Sequence, residues 1–236
     1  MRRNFEKMPV GNMEKKEANK TSSAFELQEF SPEVAQKMRE SIQSTIDDPE
    51  KYIDKGGAGT VYKLSAADEG RVCIKILERR ESAPDPGHTA DIEARFLRIM
   101  SNVEVAGVRA PRCFGYWVSE DADWLPGIVM EQLDAVNLQH ILNGKEDFPD
   151  SFDAEEFFDA LEEYIDFMHS RVGILHDDMA PRNVMVDRAT GKPRVIDFGR
   201  SRFLHRLSER EQVMLQRAEL EEVYKIQNQV EAIDKK

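Results

Sequence analysis

Cysteine is scarce in this chain, with Cys73 and Cys113 the only two among 236 residues. Two isolated thiols exclude a disulfide framework and give no metal-ligand spacing, so they point to a reducing compartment. Long apolar runs are also missing, and nothing approaches the roughly 20 residues of a membrane-spanning helix. The basic stretch Met1 to Pro9 has no apolar segment behind it and does not read as a secretory signal. A cytoplasmic location follows as the expectation, although a chain exported by a dedicated secretion machine would have the same composition. Positive charge is outweighed, 33 Lys and Arg against 45 Asp and Glu, for a net −12. That balance argues against nucleic acid or an anionic membrane as partner and describes a solvated acidic surface. No internal repeat is present.

What the sequence does have is a 40% hydrophobic content, enough for one domain of two lobes with a sizeable core. Residues 1–30 are polar without a sustained period and read as disordered. Residues 31–48 read as an amphipathic helix, with Ser31 as N-cap, Pro32 behind it, and Val34, Met38, Ile42 and Ile46 in one stripe. Such a stripe packs on the following domain or docks a partner. From about residue 49 to 133 the pattern is strand-like: Tyr52-Ile53, Val61 to Leu64, Val72 to Leu77, Cys113 to Val118 and Gly127 to Met130. Pro84 to Gly87 reads as a loop, with a helix capped at Thr89 and running through Met100. Residues 134–236 read as helical, with segments at Asn137 to Leu142, Asp153 to His169, and from Ser208, where Ser208 and Glu211 form a capping box. The sum is an α+β, two-lobed layout: an antiparallel β lobe followed by a reduced helical lobe.

Several residues carry chemistry. Lys55-Gly56-Gly57-Ala58-Gly59-Thr60-Val61 lies between strand signals, where glycines let the backbone approach phosphate oxygens, although hairpin turns use the same residues. Lys75 sits inside an apolar strand, and strict alternation alone would point it to solvent. Glu93 follows on the helix. His176-Asp177-Asp178-Met179-Ala180-Pro181-Arg182-Asn183 precedes Ile196-Asp197-Phe198-Gly199.

Taken in order, these motifs resemble the protein-kinase-like superfamily over roughly Tyr52 to Gly199. The glycine stretch resembles the G-x-G-x-x-G-x-V loop, Val72-Cys73-Ile74-Lys75 the V-A-I-K strand, and Glu93 the glutamate that pairs with its lysine. Ile128-Val129-Met130-Glu131 resembles the strand entering the adenine hinge. His176 to Asn183 resembles H-R-D-x-x-x-x-N, and Asp197-Phe198-Gly199 is D-F-G. The resemblance implies ATP and Mg²⁺ (or Mn²⁺) as cofactors. It assigns Gly56, Gly57, Gly59 and Val61 to the phosphate loop, and Lys75 held by Glu93 to the α- and β-phosphates. Asn183 and Asp197 would hold the metal, and Asp178 would accept the proton of the substrate hydroxyl. The backbones of Glu131 and Leu133 would read the adenine edge, with Met130 behind the base, Met185 beneath it and Cys73 lining the site.

Departures from the pattern carry their own expectations. Asp54 stands at the first loop glycine, and Asp177 replaces the arginine that reads a phosphorylated activation loop. No A-P-E motif is present, and 37 residues follow Gly199. These features imply a minimal kinase, similar to RIO- and Bud-type atypical kinases or compact bacterial effector kinases, without activation-loop control. A protein substrate is the first expectation, with a possible activating partner at the N-terminal helix or the C-lobe. A small-molecule kinase and an ATP-binding pseudokinase scaffold are the alternatives, the latter because Asp177 places a second carboxylate beside Asp178.

Overall fold

The computed structural model describes residues 40–56, 59–64, 71–77, 86–117 and 125–234. The expected disordered stretch 1–30 therefore lies outside the described residues, as do positions 31–39 of the expected first helix, Gly57 and Ala58. The chain divides into two units, residues 1–41 and 42–236. Of the first, only residues 40 and 41 are described, both helical. The second unit begins with helical residues 42–46, in which Ile42 and Thr45 are buried. The helix ends at 46 and not 48, because Asp48 caps the next turn, accepting a hydrogen bond from the Glu50 N–H.

Five antiparallel strands build the first lobe: β1 (Tyr52–Lys55), β2 (Gly59–Leu64), β3 (Val72–Leu77), β6 (Cys113–Trp117) and β7 (Gly127–Glu131), in the order β1-β2-β3-β7-β6. Helix α1 (Pro86–Met100) lies between β3 and the later strands in sequence, and buries Ala94, Phe96, Leu97 and Met100. It starts three residues before Thr89, since a proline at the first helical position has its φ preset and lacks only an N–H that would go unpaired anyway. Val118, to which the sequence reading runs this strand, lies outside the described residues, and β7 extends to Glu131.

β3 departs from simple alternation. All its residues except Val72 are buried, so it is covered on both faces, and Lys75 is carried inward with them. Its register pairs Lys75 with Val61 on one side and with Ile128 on the other. Gly59 permits this close pairing, because a Cβ there would collide with the Ile76 carbonyl.

The second lobe is built on helices α2 (Leu138–Leu142), α3 (Ala154–Phe167) and α4 (Glu209–Asp234). Asn137 and Asp153 cap the first two through their side chains. The apolar face of α3, Phe157, Leu161, Tyr164 and Ile165, is fully buried, and a π-helical turn, Met168–Val172, carries it on to Gly173 in the left-handed region. The capping box at Ser208 forms: the Ser208 N–H donates to the Glu211 carboxylate at 2.8 Å, and the Glu211 N–H donates to the Ser208 hydroxyl.

This lobe is less purely helical than its sequence pattern suggests. Short strands β4 (Glu104–Val105), β5 (Val108–Arg109), β8 (Ala135–Asn137), β10 (Val184–Asp187) and β11 (Pro193–Val195) form a second sheet in the order β4-β5-β11-β10-β8. A third pairing joins β9 (Ile174–Leu175) to β12 (Arg202–Phe203). Runs of two to four residues are too short to display a period of two, so these strands leave no pattern in the sequence. They nonetheless set the site: the β10–β11 hairpin pairs Val184 with Val195, and the Ile196 N–H, one residue before Asp197, donates to the Asn183 carbonyl at 3.0 Å. No helix among the described residues is long and apolar enough to cross a membrane.

Gly59 offers a test of the close pairing. Gly59→Ala should destabilise the protein by about 1–3 kcal/mol, because β2 must move away from β3 to admit the methyl group; chemical denaturation of the purified variant measures it.

Candidate active site

Lys75 is a buried charge held by two carboxylates. Its ammonium lies 2.8 and 2.7 Å from the two carboxylate oxygens of Glu93, and 3.2 Å from Oδ1 of Asp197. The Lys75 side chain is 8% exposed and that of Glu93 2%. Burial pushes the Glu93 carboxyl up to about 7 against the pull of Lys75. Burial also works against the Lys75 charge, yet Glu93 and Asp197 together hold that amine above its ordinary value. Two carboxylates facing one ammonium favour the ionised pair. Asp197 is opposed by burial too, but Lys75 keeps it below the usual carboxylate range.

Backbone geometry places Asp197. Its φ of 63° lies in the left-handed region, which is unusual for a non-glycine residue, and its carboxylate accepts a hydrogen bond from the Gly199 N–H. Next to it Phe198 is wholly buried and tilts against the His176 ring at 4.9 Å. His176 is itself buried, with Nε2 donating to the Ile196 carbonyl at 3.0 Å. The motif around Asp178 and the motif around Asp197 are therefore tied through His176.

Both oxygens of Asp178 are engaged. Arg182 donates to Oδ1 at 2.6 Å, and Asn183 donates from Nδ2 to Oδ2 at 3.0 Å and to the Asp178 carbonyl at 2.7 Å. Using its N–H₂ in this way leaves the Asn183 amide oxygen as its acceptor end. Asp177 faces elsewhere. Its carboxylate pairs with Arg202 at 2.8 Å, and its backbone is in the left-handed region at φ 61°.

One carboxylate from α4 holds this loop, and the sequence reading did not single it out. Glu219 is 5% exposed and takes up three donors. Its Oε1 accepts from the Asp177 N–H at 2.7 Å, and its Oε2 accepts from the His176 N–H at 3.4 Å and meets His169 Nε2 at 2.6 Å. Leu215, Glu219, Val223, Ile226 and Val230 recur at helical spacing, and the last three are buried. An acid on the apolar stripe of a helix was the available signal. Arg182 and Arg202 were likewise missed, since surface arginines next to carboxylates carry no distinctive pattern.

The remaining expected site residues sort by element. Gly56 donates its N–H to the Gly59 carbonyl at 2.9 Å, which closes the turn on which Gly57 lies outside the described residues. Val61, Cys73 and Met130 lie on β2, β3 and β7, where Cys73 pairs in register with Met130. The Cys73 thiol faces the Glu131 carbonyl, with 3.6 Å between sulfur and oxygen, and burial pushes its pKa up to about 12. The Glu131 side chain turns away and accepts a two-pronged bond from Arg109 at 2.6 and 2.7 Å. Leu133, half-buried, follows two residues past β7, and Met185 lies on β10 opposite Asn137.

A family model described as the protein kinase domain matches residues 48–220. The chain belongs to that family. Among known kinases it is 28% identical over 152 residues to a probable serine/threonine-protein kinase of Bifidobacterium longum, covering 63% of this chain and 19% of that one. It is 32% identical over 156 residues to a probable serine/threonine-protein kinase of Streptomyces coelicolor, covering 64% and 22%. The casein kinase II subunit alpha' of Saccharomyces cerevisiae is 33% identical over 116 residues, covering 47% and 31%. The chain thus spans less than a third of the length of each of these relatives. The two-lobed α+β expectation agrees with this family and with the antiparallel sheet followed by helices seen here.

Removing the buried acid of this kinase fold should be costly. Glu219→Ala leaves His169 and the backbone N–H groups of His176 and Asp177 without their acceptor, and should cost about 3 kcal/mol. Glu219→Gln, which keeps one acceptor oxygen, should cost less. Denaturant melts of the two variants beside wild type give the comparison.

Proposed function

We propose that this chain is an ATP-dependent protein kinase that transfers the γ-phosphoryl group to a hydroxyl of a protein substrate. The observation that carries the reading is the buried Lys75 between Glu93 and Asp197, within the same fold as an Asp178 whose two oxygens are oriented by Arg182 and Asn183. A scaffold that only bound partners would have no need of this combination.

The donor set fits Mg²⁺ or Mn²⁺. Asp197 offers a carboxylate and Asn183 an amide oxygen, both hard ligands, and the residue before Asp197 is hydrogen-bonded to Asn183 at the end of the β10–β11 hairpin. Magnesium is bound by one or two such groups together with substrate phosphates, and not by an all-protein cage. Among the described residues no cluster of three or more His, Cys, Asp or Glu side chains could form such a cage. When bound, the ion would neutralise charge on the phosphates.

The protein's own residues do the rest. Lys75 lies where its ammonium can meet the α- and β-phosphate oxygens, exchanging its contact with Asp197 for them while Glu93 holds it. Asp178 orients the substrate hydroxyl and takes its proton as the new O–P bond forms and the bond to the β-phosphate oxygen breaks, with ADP leaving. The backbones of Glu131 and Leu133 would read the adenine edge, with Met130, Met185 and Cys73 lining the site around the ring.

We further infer that no phosphorylated activation loop is needed. The residue in the phosphate-reading place is Asp177, and its charge is already met by Arg202 from β12. The same contact turns Asp177 away from Asp178, so the second carboxylate does not compete for the proton.

Incubation with labelled ATP, Mg²⁺ and a protein substrate tests the reading. Asp178→Ala should lose about 10²–10⁴-fold in turnover while nucleotide affinity stays within a factor of about two. Asp197→Ala should also weaken Mg-ATP binding. Equal Mg-ATP affinity in wild type and Asp197→Ala would remove the metal assignment. Prior phosphatase treatment should leave wild-type turnover unaltered, and a large loss would show that a phosphosite regulates it.

A further inference from the structure

Helix α1 carries Glu93 to Lys75, and the first lobe holds this part of it by two polar contacts. Asp91 accepts a hydrogen bond from the Tyr116 hydroxyl of β6 at 2.7 Å, and Glu93 meets the Lys75 ammonium. A further contact reaches the same stretch of helix from beyond Gly199. The ring of Phe203 lies 4.7 Å from that of Phe96, tilted by 45°, and the Arg95 guanidinium carbon stands 5.2 Å from its centre. Phe96 is buried and follows Glu93 by three residues, the spacing of side chains that are neighbours on a helix. His205 packs 5.2 Å from the Phe203 ring, and the Arg206 guanidinium carbon lies 5.6 Å from its centre. Two side chains of α1 and two of the turn Leu204–Arg206 thus converge on one ring.

Phe203 is itself anchored next to the loop of Asp178. It pairs with Ile174 across β12 and β9, while Arg202 before it pairs with Leu175 and meets the Asp177 carboxylate. Leu204 after it is buried and donates its N–H to the Gly173 carbonyl at 2.8 Å. Leu175 is followed directly by His176, where the loop begins. The ring therefore bridges the strand that enters the Asp178 loop and the helical turn that bears Glu93. Aromatic pairs and guanidiniums over a ring are directional contacts, which an aliphatic side chain of similar size does not reproduce. A movement of α1 that withdrew Glu93 from Lys75 would also shift Phe96 and Arg95 against a ring fixed to β9.

We propose that Phe203 is a positioning residue for the Lys75–Glu93 pair. It locks α1 to the strand entering the Asp178 loop, so that the pair and the loop are set together with no phosphate on the chain. The effect on turnover rests on the kinase reading above, whereas the effect on α1 does not. A residue that only filled space beside β12 would act on β9 and β12 and leave Glu93 undisturbed.

The test compares the full chain with Phe203→Tyr, Phe203→Leu and Phe203→Ala, and with Glu93→Gln alone and combined with Phe203→Leu. Amide hydrogen exchange is the first readout. Loss of the ring in Phe203→Leu and Phe203→Ala should speed exchange in α1 at least about fivefold, with α3 unchanged. Phe203→Tyr keeps the ring and should match wild type. With labelled ATP, Mg²⁺ and a protein substrate, Phe203→Leu should lose about ten- to a hundredfold in kcat, with little change in KM for that substrate. On the Glu93→Gln background the same substitution should add less than about a twofold loss, because both act through one contact. Exchange in α1 at the wild-type rate in Phe203→Leu and Phe203→Ala would overturn the proposal. So would exchange raised equally in α1 and α3, or a loss of turnover that multiplies in full on the Glu93→Gln background. Faster exchange confined to α1, with no label transferred even by wild type, would support the lock and refute the kinase reading, so the two failures are separable.

Discussion

A lysine ammonium buried with two carboxylates is the constraint on which this structure turns. Charge taken out of water is unfavourable unless it is met closely, and at Lys75 it is met by Glu93 from α1 and by Asp197 from beyond the β10–β11 hairpin. That single contact joins the first sheet, its packing helix and the second lobe at one point. It also explains why β3 must be covered on both faces, since a half-exposed strand would leave Lys75 in solvent and Glu93 without a partner. Such a pair is weak evidence of stability. Its meaning lies in where it puts a positive charge: on the inner strand β3, held away from water between carboxylates from two other parts of the chain.

Around that point the loop from His176 to Asn183 is over-determined. Asp177 and Asp197 both adopt left-handed backbone, a conformation that L residues hold only when their surroundings enforce it. For Asp177 the enforcement is visible in Glu219 beneath the backbone and Arg202 against the side chain. For Asp197 it comes from Lys75, the Gly199 N–H and the buried Phe198. Two acidic neighbours, Asp177 and Asp178, thus end with separate partners, Arg202 for the first and Arg182 with Asn183 for the second. Their proximity in sequence does not become competition in space.

Much of this was legible in advance. The order of glycine loop, Lys75, Glu93, Asp178, Asn183 and Asp197 identified the fold, because each motif lies within a few residues of chain and uses rare combinations. The long helices were equally readable, since Phe157, Leu161, Tyr164 and Ile165 display the helical period over more than two turns. The second sheet was not, because strands such as Val108–Arg109 are held by their neighbours and have no pattern of their own. Lys75 shows the same limit from the other side: alternation sent it to solvent, and only the cover on both faces of β3 overrode that. Glu219 was hidden for a different reason. Its meaning depends on two N–H groups more than forty residues earlier, and no local window contains both.

That separation bears on how the protein is made. Synthesis proceeds from the N-terminus, and His176 and Asp177 leave the ribosome well before α4 does. Until Glu219 follows them, the strained backbone at Asp177 lacks its acceptor, and His169 lacks the carboxylate it meets in the finished fold. Every signature residue of the site is then already in the chain, but the loop that carries Asp178 is not yet held from below. Order at this loop is consequently a late, long-range event of folding, set by the arrival of α4.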